Sequence, residues 1–115
     1  MHELGIANSV IEAVRAEALQ RPGAKVRKVG MRVGELAGVD AEALRFCFSC
    51  LVMETDLAGV PLEIQSCRRR QYCPCCLEAF LVLDYQTSCP RCGSRETECI
   101  AGEELELAFL ELEEA

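Results

Sequence analysis

Four cysteines in two matched pairs are the residues of this chain whose spacing most clearly predicts chemistry. Cys73 and Cys76 lie in a C-P-x-C segment, and Cys89 and Cys92 lie in a second one after twelve intervening residues. Two such turns can enclose a tetrahedral ion, because their backbone N–H groups hydrogen-bond to thiolates. We therefore predict that these four thiolates bind one structural Zn(II). A site filled by four protein ligands leaves no position for water, which argues against a zinc hydrolase.

Three questions about this pattern stay open at the level of sequence. The same pairs suit a rubredoxin-like iron as well as zinc. Disulfides or reactive thiols are the other reading, and the doubled spacing disfavours them in a reducing compartment. Cys75 lies inside the first turn, and we assign it as a non-ligand because using it would shorten that turn.

The other cysteines carry weaker signals. Cys47 and Cys50 form a CxxC within a predicted helix, where Cys47 continues the apolar face, so core packing is favoured over redox or metal chemistry. A thiol-disulfide oxidoreductase is the competing hypothesis, but no thioredoxin-like context surrounds the pair. Cys67 and Cys99 flank the paired motifs, and the sequence assigns them no chemistry.

The only histidine of the chain is residue 2. Its imidazole, its own amide nitrogen and the Met1 amine can form a chelate, and Glu3 can complete a planar set of nitrogen and oxygen ligands. Such sets suit Ni(II) or Cu(II), and nickel is favoured because cytosolic copper is chiefly Cu(I), which prefers thiolates. Taken alone, a histidine near a terminus is more often a solvated side chain.

Composition limits the classes of partner. The 115 residues carry a formal net charge of -7, which predicts no nucleic-acid partner, and Arg68-Arg69-Arg70 reads as a solvated charge run. No apolar run reaches transmembrane length, which predicts no membrane partner. The first residues have no basic n-region, so we expect a cytoplasmic protein without a signal peptide.

Periodicity predicts the elements that position these residues. Apolar residues recur every three or four positions from Leu4 to Ala18, which predicts a first helix, and Asp40 is a good N-cap for a second helix that fades near Thr55. Alternation predicts strands at 25–33, at 62–65 and at 104–112, with adjacent Phe109 and Leu110 indicating a bulge. A short hairpin is expected through Phe80, Val82 and Tyr85.

This order predicts an α+β fold in which two helices pack on a small three-stranded sheet, with an inserted zinc-ribbon-like lobe. We expect residues 1–66 and 100–115 to form an αβ nickel-binding domain and residues 67–99 to form the zinc-binding insert. The insert would connect the second and third strands, which could lie side by side.

Three segments occur in one order along nearly the whole chain: Met1-His2-Glu3 opening a helix, Val33-Gly34-Glu35-Leu36-Ala37-Gly38-Val39 before Glu42-Ala43-Leu44-Arg45-Phe46, and the paired C-P-x-C turns. Together they resemble the HypA/HybF family. The resemblance implies a nickel metallochaperone, which is not an enzyme, for maturation of [NiFe]-hydrogenase and in some bacteria urease. It implies His2 as nickel ligand beside the Met1 amine and Glu3, with zinc on the four paired cysteines.

The resemblance also implies two partners, a nickel-handling GTPase and the precursor of the hydrogenase large subunit. Cys47 and Cys50 lie outside the matching motifs. The alternative function is a zinc-ribbon module that binds a protein partner and transports no metal, in which His2 is incidental.

Overall fold

A computed structural model describes residues 3–114 of the chain. They form two α-helices and six β-strands, with a short 3-10 helix, Glu35–Ala37, between the first strand and the second helix. The bounds are α1 Glu3–Ala18, β1 Lys25–Gly34, α2 Ala41–Val52, β2 Leu62–Cys67, β3 Arg70–Cys73, β4 Glu78–Leu81, β5 Glu98–Ala101 and β6 Leu105–Glu113. The predicted α+β fold, with two helices and an inserted four-cysteine lobe, is confirmed.

The large sheet has the strand order β2-β1-β6. Its central strand β1 runs parallel to β2 and antiparallel to β6. The expectation that the second and third predicted strands lie side by side is therefore wrong, because β1 lies between them. Helix α2 makes the crossover that a parallel pair requires, which a hairpin cannot provide.

The expected bulge in β6 is confirmed. Gly30 pairs with Phe109 while the next residue, Met31, pairs with Leu107, so Ala108 is the extra residue. The extra residue shifts the alternation by one position, so that the leucines on both sides of the bulge pack against the same core: Leu105, Leu107, Leu110 and Leu112.

Both helices contribute to that core. The inward side chains of β1 are buried, as are Leu44 and Phe48 of α2. On α1 the buried side chains are Ile6, Ala7, Val10 and Val14, whereas Leu4 is 55% exposed. The buried face of α1 is thus rotated from the predicted one. Helix α2 begins as predicted, since the Asp40 carboxylate accepts hydrogen bonds from the N–H groups of Glu42 and Ala43, but it ends at Val52, before Thr55.

The small sheet has the order β4-β3-β5, with both outer strands antiparallel to β3. The predicted hairpin between the two cysteine pairs is wrong in its pairing: β4 pairs with the preceding β3, and only an isolated bridge joins Leu83 and Gln86. We call residues 68–101, which contain this sheet, the cysteine lobe. Its place between β2 and β6 makes it an insertion, and the described residues measure 54 × 26 × 16 Å.

A close contact of two glycines joins the lobe to the large sheet. A Cβ on Gly34, at the end of β1, would lie 2.0 Å from the carbonyl oxygen of Gly102. The Leu36 N–H donates to that same oxygen at 2.7 Å, and the Glu35 carboxylate accepts a hydrogen bond from the Arg69 N–H. Arg69 is half-buried at this junction, whereas Arg68 and Arg70 are exposed, as predicted for a solvated charge run.

No helix in the described part of the chain is long and apolar enough to cross a membrane.

Candidate metal centres

The structure brings together the four cysteines that the C-P-x-C spacing selects. Cys73 ends β3, Cys76 lies in the turn that follows, and Cys89 and Cys92 lie in the loop before β5. Their sulfur atoms all lie within 4.8 Å of one another. Among residues 3–114, this is the one group of three or more cysteine, histidine or acidic side chains that is arranged to bind a metal ion.

The spacing of the sulfurs fits a tetrahedral zinc ion. The Cys73 and Cys92 sulfurs are 3.7 Å apart, and those of Cys76 and Cys89 are 3.8 Å apart. A Zn–S bond of about 2.3 Å in a regular tetrahedron places neighbouring sulfurs about 3.8 Å apart. The donor set of four thiols and the geometry therefore both suit the ion, and all four positions around it would be filled by protein.

The two cysteine turns close in the same way, although the backbone N–H that points to the first sulfur comes from a different position in each. The N–H of Cys76 points to the Cys73 sulfur at 3.5 Å, and the N–H of Arg91 points to the Cys89 sulfur at 3.4 Å. Each turn closes with a hydrogen bond of 2.8 Å, from Leu77 to the Cys73 carbonyl and from Gly93 to the Cys89 carbonyl. Leu77 has φ +60° where Gly93 has +75°, so leucine adopts the left-handed conformation that glycine adopts more easily.

These hydrogen bonds separate the acidities of the thiols. The N–H groups of Cys92 and Arg91 lower the pKa of Cys89 to about 7, because they stabilise its thiolate. Hydrogen bonding with Cys92, followed by burial, raises the pKa of Cys76 to about 12. The backbone N–H groups therefore favour the thiolate form of Cys89, and a cation among the four sulfurs would favour the thiolate form of the others.

A hydrogen-bonded chain that the sequence pattern did not predict supports the second turn. Gln71 on β3 is 96% buried, being 4% exposed, and its amide donates to the Thr97 hydroxyl at 3.0 Å. That hydroxyl in turn donates to the Thr87 carbonyl. Thr87 and Thr97 flank Cys89 and Cys92, so this chain holds the ends of the loop that carries them.

The remaining cysteines lie outside the four-sulfur cluster. Cys75 is exposed within the first turn, and Cys47 packs against the core while Cys50, on the same helix, is exposed. Cys67 is half-buried at the end of β2, and Cys99 is exposed on β5. None of the nine cysteines forms a disulfide.

The predicted nickel ligands Met1 and His2 lie outside the described residues. Glu3, the first described residue, begins α1, and its carboxylate accepts a hydrogen bond from the Asp40 N–H at 3.2 Å. That hydrogen bond is the largest cause of the lowered pKa of Glu3. The third predicted ligand is thus an ionised carboxylate at the start of α1, beside the N-terminus of α2.

Comparison with known proteins places the whole arrangement in a family. Residues 1–112 match the family described as "Hydrogenase/urease nickel incorporation, metallochaperone, hypA". The chain is 37% identical over 113 residues to the hydrogenase maturation factor HypA of Prosthecochloris aestuarii, covering 98% of this chain and 100% of the relative. It is 36% identical over 113 residues to that of Rhodopseudomonas palustris, again covering 98% and 100%.

Two solved structures share the fold. A solution structure of a HypA protein superposes with a TM-score of 0.73 at 25% identity, covering 97% of this chain and 96% of that one. The solution structure of the nickel metallochaperone HypA from Helicobacter pylori gives a TM-score of 0.69 over the full length of both chains at 24% identity. The four-cysteine geometry, the fold and the match over residues 1–112 agree, and the chain belongs to the HypA family of hydrogenase maturation metallochaperones.

Proposed function

We propose that this chain carries Ni(II) as cargo on the Met1 amine, the His2 imidazole and Glu3, and that Cys73, Cys76, Cys89 and Cys92 hold a structural Zn(II). The observation that carries the proposal is the family match, which begins at residue 1 and so includes the only histidine of the chain. Nitrogen and oxygen ligands of this kind suit square-planar Ni(II).

The two metals have different duties in this proposal. Four thiolates close the zinc site, so zinc stabilises the lobe and exchanges slowly. A terminal amine, an imidazole and a carboxylate form an open site that can release its ion to an acceptor. The hydrogen bond from the Asp40 N–H, which lowers the pKa of Glu3, supports an ionised carboxylate ligand at the start of α1.

Membership of the family supports a proposal about the proteins that receive the nickel. We propose that the chain delivers nickel to the precursor of the [NiFe]-hydrogenase large subunit together with a nickel-handling GTPase, in the cytoplasm. Urease is a second target for the same cargo, in line with the family description. The net charge of -7 supports protein partners and disfavours nucleic acid.

The test is a nickel titration of zinc-loaded protein with a native N-terminus, measured by isothermal titration calorimetry. Elemental analysis before and after the titration gives the content of both metals. We expect one nickel site that is lost in His2→Ala and in a protein with one extra residue before Met1, with zinc content unchanged in both. Cys76→Ser is the matched control, since it should lower zinc content and leave the N-terminal ligands in place.

An N-terminally extended protein that keeps full nickel affinity would refute the ligand assignment. A native protein that binds zinc but no nickel would favour the alternative function, a zinc-ribbon module that binds a protein partner without transporting metal.

A further inference from the structure

Within residues 3–114, no strand lies beside the outer edge of β6. In the large sheet β6 is an edge strand, and across the described residues its only strand partner is β1. It runs for nine residues, so a long row of backbone N–H and C=O groups is available for pairing with another segment.

The core beneath β6 is also incompletely covered. The inward side chains of β1 are almost fully buried, with exposures of 0% for Val29, 1% for Met31 and 6% for Val33. The inward leucines of β6 belong to the same core but are each only partly buried: Leu105, Leu107, Leu110 and Leu112. The apolar face of the sheet is therefore buried at β1 and only partly buried at β6.

A groove lies between this edge and α1. Gly5, Ser9 and Ala13 line its helix side at four-residue spacing, Leu105 and Leu107 line its strand side, and its volume is about 520 Å³. A second cavity of about 700 Å³ lies along the same strand beyond Leu107, with Glu17 and Gln20 on its helix side. Small residues on α1 leave room for the side chains of an added strand.

The charged residues on the outer face of β6 indicate which side chains an added strand should have. Glu106 pairs with Arg32 of β1 at 3.3 Å, Glu111 pairs with Lys28 at 3.9 Å, and Glu113 pairs with Arg27. The strand that already pairs with β6 thus carries basic residues among apolar ones. A strand on the free side would meet the same glutamates from the other direction, and opposite charges across a strand pair are favourable.

The same charges disfavour a second copy of this chain as the occupant. Pairing β6 with another β6 would bring two glutamate rows together in a protein with a net charge of -7. Like charges on facing strands are destabilising.

We propose that the free edge of β6 binds an extended segment of a partner protein, alternating basic and apolar residues, as a fourth strand of the large sheet. Backbone hydrogen bonds supply affinity, the apolar side chains enter the groove beside α1, and the basic side chains meet the glutamates. None of the four clustered cysteines lines this groove.

The test uses the zinc-loaded full chain and a synthetic peptide that matches β6 in length and alternates valine with lysine. We expect saturable binding by fluorescence anisotropy, with amide chemical-shift changes confined to β6 and the facing side of α1. A peptide alternating valine with glutamate should bind at least about tenfold more weakly, because each cross-strand charge pair contributes roughly 0.2–1 kcal/mol.

Two further probes separate strand addition from charge attraction. N-methylation of alternate residues in the valine-lysine peptide should abolish binding for one set and be tolerated for the other, since only one edge of the peptide pairs with β6. Ser9→Phe should block the groove and weaken binding about tenfold or more. Asn8→Phe, an exposed neighbour outside the groove, is the matched control and should bind normally.

Equal binding of the two N-methylated peptides would overturn the proposal. So would a folded Ser9→Phe protein that binds the valine-lysine peptide as tightly as the unchanged chain does. Concentration-dependent dimerisation of the chain that Ser9→Phe abolishes would also overturn it, because it would identify a second copy as the occupant.

Discussion

Cys75 and Cys76 are adjacent in the sequence, yet only Cys76 faces the other three sulfurs, while Cys75 is exposed. The turn that begins at Cys73 determines this, because its hydrogen bond from the Leu77 N–H to the Cys73 carbonyl directs the third residue outward and the fourth inward. The left-handed conformation of Leu77 completes the same turn that Gly93 completes in the second pair.

A pair of serine substitutions tests this assignment. We expect Cys76→Ser to lose most bound zinc, because an alcohol replaces a thiolate ligand, and Cys75→Ser to keep a full equivalent. Zinc released per protein, measured with a colorimetric chelator on both variants, gives the answer. Equal zinc content in the two variants would show that Cys75 can replace Cys76.

The C-P-x-C spacing was sufficient to predict the cluster, since each pair is closed by a local turn. It was insufficient for the support around the cluster. Gln71, Thr87 and Thr97 join through hydrogen bonds between distant positions of the chain, and no local pattern marks such a contact.

At the level of elements, periodicity predicted the helices, the three strands of the large sheet and the bulge in β6, because each reports how one segment alternates between core and solvent. It did not predict that β1 is central, since strand order depends on which segments meet in space. The strands β3 and β5, four residues each, were missed because their sequences are too short to show alternation.

The contact of Gly34 with Gly102 gives a prediction at this scale. Gly34→Ala would place a methyl group 2.0 Å from a backbone oxygen, so the end of β1 must separate from the junction to the lobe. We expect a loss of about 2 kcal/mol or more in the free energy of unfolding, measured by chemical denaturation, as for overpacked sites.

Gly5→Ala is the matched control for that substitution. Apart from its chain neighbours and the nearby backbone of its own helix, a Cβ on Gly5 would have no heavy atom within 4 Å. Gly5 lies in a helix, where alanine is more stable than glycine by roughly 0.5–1 kcal/mol. We expect Gly5→Ala to be neutral or stabilising. A Gly34→Ala protein as stable as the Gly5→Ala protein would refute the close junction.

At the level of the whole molecule, stability is divided unevenly along its 54 Å length. The large sheet and both helices share a continuous apolar core. In the cysteine lobe only four residues are buried, Gln71, Cys73, Val82 and Cys89, and two of these belong to the sulfur cluster. The lobe thus has little apolar core of its own, and metal ligation is the main source of its order.

Removal of zinc by a chelator should therefore unfold the lobe and leave the αβ body folded. We expect hydrogen-deuterium exchange to lose protection in 70–101 and keep it in β1 and α2. This result would also support the division into a nickel-binding domain and an insert near residues 67–99. Loss of protection throughout the chain would contradict it.

The pairing of β1 with β6 joins Lys25, the first residue of the first strand, to Glu113, the last residue of the last strand. We therefore expect one edge of β1 to stay unpaired during synthesis until β6 has left the ribosome. The cysteine lobe is made in that interval, and once zinc closes it, the chain that must be looped back to β1 is effectively shorter. Halving such a loop saves only about 0.6 kcal/mol, so we expect zinc to affect the timing of assembly more than the final stability of the large sheet.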